Sequence, residues 1–277
     1  MVEHHLLTGA GVTVAAIPVP LHEGREFGVI ETAADGQTIT AFREKPTDAV
    51  GLPDAPDKVF ASMGNYVFSA GALIDIVTRD AEDESSKHDM GGSIVPALVE
   101  SGAAHVYDFS QNEVPGASEV ERGYWRDVGT LDAFYDAHMD LISVEPEFNL
   151  YNREWPILTW PDPLPPAKFV FDDEDGRRGM ALDSMVCAGV VISGATVRRS
   201  VLSPGAHLHS YAVVEDSVLM QGVDVGRNAV VRRAIVDKNV RIAEGAEVGV
   251  DPVADRERFT ISSGGIVVIP KGATVTA

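Results

Sequence analysis

Val186-Cys187-Ala188-Gly189-Val190-Val191-Ile192-Ser193-Gly194-Ala195-Thr196-Val197-Arg198-Arg199-Ser200-Val201-Leu202 holds the pattern that decides the fold of the C-terminal half. Val186, Ile192, Val197 and Leu202 are followed in step by Leu208, Val214, Leu219, Val225, Val231, Val236, Ile242 and Val248, an aliphatic residue every five or six positions. An amphipathic helix repeats every 3.6 residues and a half-buried strand every two, so neither produces this spacing. A period of six is that of a parallel β-helix, in which each short face of a triangular coil turns one aliphatic side chain inward. Turn-forming residues fall between the aliphatics, among them Ser193-Gly194, Pro204-Gly205, Gly222, Gly226 and Glu244-Gly245. At about three steps per turn the run predicts roughly three to four coils, enough to bury a continuous core. Ile266 to Val275 is placed to cap the end.

Working outward from the coil, Pro146 to Pro166 is rich in Pro, Trp and Tyr, including Trp155-Pro156 and Pro163-Leu164-Pro165-Pro166. The prolines predict extended backbone and the aromatics a packed connector. Upstream lies Tyr124-Trp125-Arg126-Asp127-Val128-Gly129-Thr130. Thr130 is placed to cap a helix whose Leu131, Phe134, Tyr135, His138 and Leu141 recur at three- and four-residue spacing. Asp127, between an indole and a flexible glycine, is placed to hold a cation or a sugar hydroxyl at a pocket rim. Its alternative role is to favour the helix dipole.

The N-terminal part alternates strands and helices, which predicts an α/β sandwich with a mostly parallel sheet. Met1 to Gly9 reads as the end of a helix, with Leu6 and Leu7 apolar and Gly9 or Gly11 as the stop. Val12 to Ile17 has the continuous apolarity of a buried strand and ends at Pro18 and Pro20. Phe27 to Thr32 and Thr38 to Phe42 flank Asp35-Gly36, a hairpin signal. Arg43-Glu44-Lys45-Pro46 follows, where the proline predicts an extended Lys45. Ala61-Ser62-Met63-Gly64-Asn65-Tyr66-Val67-Phe68 is a strand with small residues at its start, which admit a ligand or another backbone. Ser69 is placed to cap a helix through Leu73, Ile74 and Val77. Arg79 to Asp89 reads as a solvated loop, Ile94 to Val99 as a short helix and His105 to Phe109 as a strand.

The chain has 277 residues, 45% of them hydrophobic, and the two textures divide it into more than one domain. Its single cysteine, Cys187, excludes an intramolecular disulfide and suits a reducing cytoplasm. No apolar run approaches the roughly 18 residues of a membrane helix, and the N-terminus lacks the basic residues of a signal peptide. A formal charge of -20 argues against a nucleic-acid partner. An anionic small substrate would need a local island of Lys and Arg.

Taken in order, Phe27-Gly28-Val29, Glu44-Lys45-Pro46, the Ser62-to-Phe68 stretch, His88-Asp89-Met90-Gly91, Tyr124-to-Thr130, Tyr151-Asn152-Arg153-Glu154-Trp155-Pro156-Ile157 and Pro165-Pro166-Ala167-Lys168-Phe169-Val170, followed by the hexapeptide coil, resemble the glucose-1-phosphate adenylyltransferases of bacterial glycogen synthesis. The resemblance covers nearly the whole chain. It implies a partial Rossmann-like nucleotidyltransferase sandwich over 1–145, a Pro/aromatic connector over 146–175 and a left-handed parallel β-helix over 176–277.

The family joins ATP and glucose 1-phosphate to give ADP-glucose and pyrophosphate with Mg²⁺. Carried over by motif, Lys45 meets the sugar phosphate and Glu44 the sugar hydroxyls, while Gly28, Ser62, Tyr66 and Trp125 belong to the same substrate-binding set. Asp127 is the implied Mg²⁺ ligand, and Lys45 and Asp127 are the implied catalytic pair. Without that context Lys45 would be a solvated lysine beside a turn, and Ser62 a strand-end hydroxyl bonded to backbone. The resemblance further implies a cytoplasmic homotetramer regulated by sugar phosphates and by AMP or phosphate. Arg232-Arg233 resembles a regulatory basic pair, its alternative being a solvated turn of the coil.

One departure stands out. The family's Gly-rich phosphate loop on the first strand, with its Arg and Lys, and a second metal-binding Asp find no counterpart here, so the expectation is a chain that presents the sugar-phosphate side and lacks the ATP side. Two further readings are a non-catalytic sugar-phosphate-binding subunit and a hexapeptide acyltransferase using His207 or His209, for which no acyl-carrier signature stands in the sequence. Loss of sheet strands predicts exposed edges, apolar faces and poor solubility for the isolated chain.

Overall fold

The computed structural model describes residues 1–277, which form two compact units, Met1–Val114 and Pro115–Ala277. In the first unit, α1 (Val2–Thr8) stops at Gly9, whose φ of 64° suits a residue without Cβ. Leu6 and Leu7 are exposed. The buried side chain is His5, bonded to Thr13 Oγ1 at 2.8 Å and Ser69 Oγ at 3.2 Å.

Strands β1 (Val12–Pro20), β2 (Gly28–Thr32), β3 (Ile39–Glu44), β4 (Lys58–Phe68) and β5 (Ala104–Asp108) form one sheet in the order β3-β2-β4-β1-β5. The hairpin at Asp35-Gly36 forms as expected, with Asp35 accepting hydrogen bonds from Gln37 N and from the backbone and hydroxyl of Thr38. These bonds to the ionised form hold its carboxyl down at about 2. The mostly parallel sheet is corrected to a mixed one. β1 is parallel to β5, whereas β1 with β4, β2 with β4 and β2 with β3 are antiparallel. Val12–Ala16 is buried throughout because a central strand is covered on both faces, whatever the direction of its neighbours, and its one polar side chain, Thr13, is bonded to His5. β1 also continues past Pro18, which pairs with Phe60. Its pairing with β5 ends at Ala16, so beyond that point a missing N–H on the β5 side costs no ladder bond.

Helices α2 (Ala70–Ala81) and α3 (Val95–Glu100) bring Ile76, Val95 and Leu98 into one cluster with Val12, Val14, Ile30, Phe60 and Val106. Ser69 does stand at the N-cap of α2, but its side chain makes no capping bond. It donates instead to Ala10 O at 2.9 Å, joining the His5 network. The segment expected to be a solvated loop begins inside α2, and its remainder is tied down: Ser86 Oγ donates to Asp80 Oδ1 at 2.5 Å and His88 Nδ1 lies 2.8 Å from Asp80 Oδ2. A single π-turn, Met90–Ile94, then leads into α3.

The second unit contains the coil. Three parallel sheets make its faces, with Thr196–Arg198, Val213–Glu215 and Val230–Arg232 on the first, Val201–Leu202, Val218–Leu219 and Ala234–Val236 on the second, and Val191–Ser193, His207–Leu208, Asp224–Val225 and Arg241–Ile242 on the third. Val197 pairs with Val214, Val214 with Val231 and Val231 with Val248, one residue every 17 positions. Every aliphatic of the six-residue pattern from Ile192 to Val248 is at most 2% exposed, while Val186 is half-buried. Ile266 to Val275 does more than cap: Val267–Ile269 and Thr274–Val275 add parallel rungs after a short helix, Pro252–Arg258.

Corner residues Arg199, Asp216 and Arg233 stack at φ of 43°, 47° and 46°. Just inside that corner, Ser200 Oγ accepts from Ser217 N and Ser217 Oγ from Ala234 N, which satisfies buried backbone donors at the bend. Helix α4 (Leu131–Asp140) packs on the coil. Tyr135 joins Val218, Ile235 and Ile266 in a cluster, and its hydroxyl donates to Asp216 O at 2.7 Å. Helix α4 thus belongs to the second compact unit.

The packed connector is also corrected. Leu158 is 92% and Trp160 86% exposed. Five prolines between Pro156 and Pro166 remove N–H donors and hold the strap extended, leaving its aromatics no element to fold against. Its two ends are tied down, the first through Asn149 N to Glu121 Oε1 at 3.2 Å and Asn152 Nδ2 to Pro115 O at 2.8 Å, the last through Gln221 Nε2 to Asp162 Oδ2 at 2.7 Å and Gly189 N to Pro165 O at 2.6 Å, while the stretch from Leu158 to Trp160 stands exposed.

Candidate functional site

Five of the residues singled out from sequence lie in the first unit, and four of them share one patch. Gly28 pairs directly with Glu44 across the hairpin, and Val29 pairs with Ala61, so Ser62 stands level with Gly28 on the other side. Strand alternation puts Gly28, Ile30, Phe42, Glu44, Phe60 and Ser62 on one face. Ile30 and Phe60 are buried in the core, and the face opens toward solvent at Glu44, which is exposed.

A Cβ on Gly28 would come within 2.9 Å of Phe42 Cζ and 3.2 Å of Glu44 Oε2, so any other residue fits beneath that carboxylate only if its neighbours shift. Tyr66 belongs to the same patch. Burial is the main cause that pushes its phenol above the ordinary value, a hydrogen bond with Ser62 opposes it, and the carboxylates of Asp89 and Glu44 add to it.

Lys45 leaves the end of β3 at a φ of 49°. The extended geometry expected ahead of Pro46 is thus corrected: Lys45 N donates to Phe27 O at 2.9 Å, closing the hairpin in the left-handed region. Non-glycine residues held there cost free energy and cluster at binding sites. Its side chain is 62% exposed, and its ammonium lies 3.9 Å from Glu44 Oε1. An exposed pair of that length is worth little, so the ammonium can turn to an incoming anion at small cost.

Asp89 received no role from the sequence reading although its motif was noted. Its carboxylate accepts from Gly92 N at 2.6 Å and caps the π-turn, and a Cβ on Gly91 would lie 3.6 Å from it and 3.7 Å from Glu44 Oε2. The signal was Asp89 standing before two small glycines, Gly91 and Gly92.

The remaining candidates lie in the second unit. Tyr124 stacks on Phe148 at 5.1 Å, and Arg126 pairs with Glu147 at 3.0 Å, which fixes the segment between them and Thr130. Thr130 caps α4 as expected, accepting from Ala133 N at 3.1 Å. Trp125 is half-buried and Asp127 is exposed. One oxygen of Asp127 accepts from Gly129 N at 3.1 Å. Mg²⁺ keeps several waters and takes one or two carboxylates together with substrate phosphates, so a lone exposed carboxylate of this kind suits it. Arg232 pairs with Glu215 at 3.1 Å, and Arg233 donates to Gly264 O at 3.1 Å and lies over the Tyr135 ring. Cys187 is free and half-buried, and burial raises its thiol.

No helix is long and apolar enough to cross a membrane. Residues 1–144 match the nucleotidyl transferase family, and residues 165–269 match the GlmU-like, C-terminal hexapeptide family. A glucose-1-phosphate adenylyltransferase of Parafrankia sp. is 60% identical over 277 residues, covering 99% of this chain and 67% of the relative. Those of Frankia casuarinae and Corynebacterium jeikeium are 59% and 56% identical, each over 276 residues and 99% of this chain. The chain spans about two thirds of the length of these curated relatives, 67% and 66% of the two.

Proposed function

Because the chain belongs to the glucose-1-phosphate adenylyltransferase family, we propose that it binds α-D-glucose 1-phosphate and supplies that side of a nucleotidyl transfer. In the whole reaction a phosphate oxygen of glucose 1-phosphate attacks the α-phosphorus of ATP. The bond to the β-phosphate oxygen breaks, and ADP-glucose and pyrophosphate leave. The attacking group is already an anion, so no general base is needed. The protein's work is alignment and charge neutralisation.

Gly28 leaves room for the sugar, Glu44 and the Ser62 and Tyr66 hydroxyls meet its hydroxyls, and Lys45 meets its phosphate as a point charge. Asp127 would hold Mg²⁺, which neutralises developing charge on the transferred phosphate when bound. Trp125, two residues before Asp127 in the chain, belongs to the same proposed binding set. What supports the reading is that Gly28, Glu44, Ser62 and Tyr66 share one face beside a cation with little to hold it.

A chain that binds the sugar phosphate without turnover is the second reading, favoured by the face shared by Gly28, Glu44 and Ser62, which offers contacts to a ligand and no group that performs a chemical step. Effector binding at Arg232-Arg233 belongs to the same proposal and requires Arg232 to give up Glu215. So do cytoplasmic residence and assembly as a homotetramer.

Pyrophosphate release from ATP and glucose 1-phosphate with Mg²⁺, measured for this chain and for a chain of the relatives' full length, tests the assignment, alongside calorimetric binding of glucose 1-phosphate to this chain. Binding here with turnover only in the longer chain supports the primary reading. Binding with turnover in neither supports the second. No binding, with the chain folded, overturns both.

A further inference from the structure

The third face of the coil carries a cluster that nucleotidyl transfer does not use. His207 and His209 flank Leu208, which is fully buried, so strand alternation sends both imidazoles outward from the same edge of the coil. One coil further on, Asp224 pairs in register with His207. The repeat thus puts two imidazoles and a carboxylate beside one another by construction. His209 Nε2 is 3.1 Å and His207 Nδ1 3.9 Å from Asp224 Oδ2, and the two rings stack at 4.2 Å. One ligand atom from each of the three residues lies within 4.8 Å of the others. All three are half-buried, reachable by an ion but not loose in solvent.

We infer that His207, His209 and Asp224 form a binding site for a divalent transition-metal ion of the Zn²⁺ class. Zn–N and Zn–O bonds of about 2.0–2.2 Å arranged tetrahedrally set ligand atoms roughly 3.4 Å apart. The two distances to Asp224 already bracket that value, and the widest separation closes by a turn of an imidazole about its side-chain bonds. The donor set chooses the metal. Two imidazole nitrogens and one carboxylate oxygen suit Zn²⁺, Co²⁺ or Ni²⁺, whereas Mg²⁺ and Ca²⁺ take oxygen almost exclusively. The site is therefore chemically separate from a Mg²⁺ held by Asp127. Three protein ligands leave a fourth position for water or for a donor from outside the chain.

Its surroundings are consistent with a cation. On the far side of Asp224, Arg241 is next in register, and it is exposed. The groups that face Asp224 Oδ2 are the two imidazoles, at 3.1 and 3.9 Å. On the near side His207 is next to Val191, which brings no competing charge.

The test is titration of the metal-freed chain with Zn²⁺ and with Co²⁺, in millimolar Mg²⁺ throughout. One equivalent of Zn²⁺ binds despite the Mg²⁺. Co²⁺ gives the visible bands of a low-coordinate N/O site, shifts the ring protons of His207 and His209, and is displaced by one equivalent of Zn²⁺. The paired substitution His207→Gln and His209→Gln abolishes that binding, and Asp224→Asn, which removes a charged ligand, weakens it by at least the roughly 10- to 100-fold that loss of an outer-shell partner costs. His22→Ala, at an exposed histidine elsewhere, leaves it unchanged. Zn²⁺ raises the thermal midpoint of the parent and not of the paired variant. Stoichiometric Zn²⁺ binding that persists in the paired variant, or Co²⁺ shifts that miss both histidines in the unmodified chain, overturns the assignment even if a variant fails to fold. Both readouts are independent of glucose 1-phosphate binding, so they stand or fall separately from the proposed transferase role.

Discussion

At the residue scale the patch around Gly28 depends on a hydrogen where any other residue has carbon. Gly28→Ala sets a methyl 2.9 Å from Phe42 Cζ and 3.2 Å from Glu44 Oε2. The neighbour is an aromatic ring packed against the core, not the far end of a flexible chain, so ring and carboxylate shift together. We expect glucose 1-phosphate to bind about 10-fold more weakly, about 1.4 kcal/mol, with only a modest fall in the thermal midpoint. Calorimetry beside a melt checks this, and unchanged affinity would remove Gly28 from the site. The small residue at this place was legible in the sequence, but its reason was not, because cross-strand register decides which side chains lean over it. The φ of Lys45 was not legible at all. The rule for residues before proline predicts extended backbone, and closure of the hairpin onto Phe27 O outweighs it.

At the scale of elements, the coil shows why some patterns read well. Its core repeats with the backbone, so one stretch of sequence fixes every rung. Leu219 is fully buried in that core, and Leu219→Ala should cost about 2–5 kcal/mol through lost burial and a cavity. Leu158→Ala, on the exposed strap, should change stability by no more than about 0.5 kcal/mol. Denaturant unfolding of the two variants separates them, and equal losses would mean that the strap packs after all. Apolar content alone misled there, since proline denies the strap a partner.

The attachment of α4 to the coil was likewise invisible, because periodicity reveals an apolar face and not what covers it. Asp132 makes the attachment sensitive to acid. Ser262 Oγ and Ser263 Oγ donate to its carboxylate, the latter at 2.6 Å, and these bonds hold it below the ordinary aspartate value of 3.8. A carboxyl depressed in the folded state stabilises fully above its unfolded value and loses that contribution as pH falls through the folded one. Detachment of α4, followed by the near-ultraviolet signal of Tyr135, should therefore begin below about pH 4, and Asp132→Ala should weaken the attachment at neutral pH and flatten this acid dependence. An acid profile identical in the variant would refute the role.

At the scale of the whole molecule the decisive quantity is charge. The chain carries a formal -20 and is proposed to bind a sugar phosphate through a single lysine, so two opposing fields act on the ligand. The attraction of Lys45 acts at contact, within the reach of any ordinary screening length. The repulsion of the remaining carboxylates acts over tens of ångströms. Raising the ionic strength from 0.01 to 0.15 M shortens the Debye length from about 30 to about 8 Å, which removes most of the distant repulsion and little of the contact attraction. Glucose 1-phosphate should therefore bind more tightly at 0.15 M salt than at 0.01 M, the reverse of a site set in a basic face. Lys45→Ala should lower affinity at both strengths while keeping the rise, because the distant field is untouched. Affinity that falls steadily with salt in the parent chain would mean that attraction, not repulsion, dominates at long range, and that further cations beyond Lys45 face the ligand.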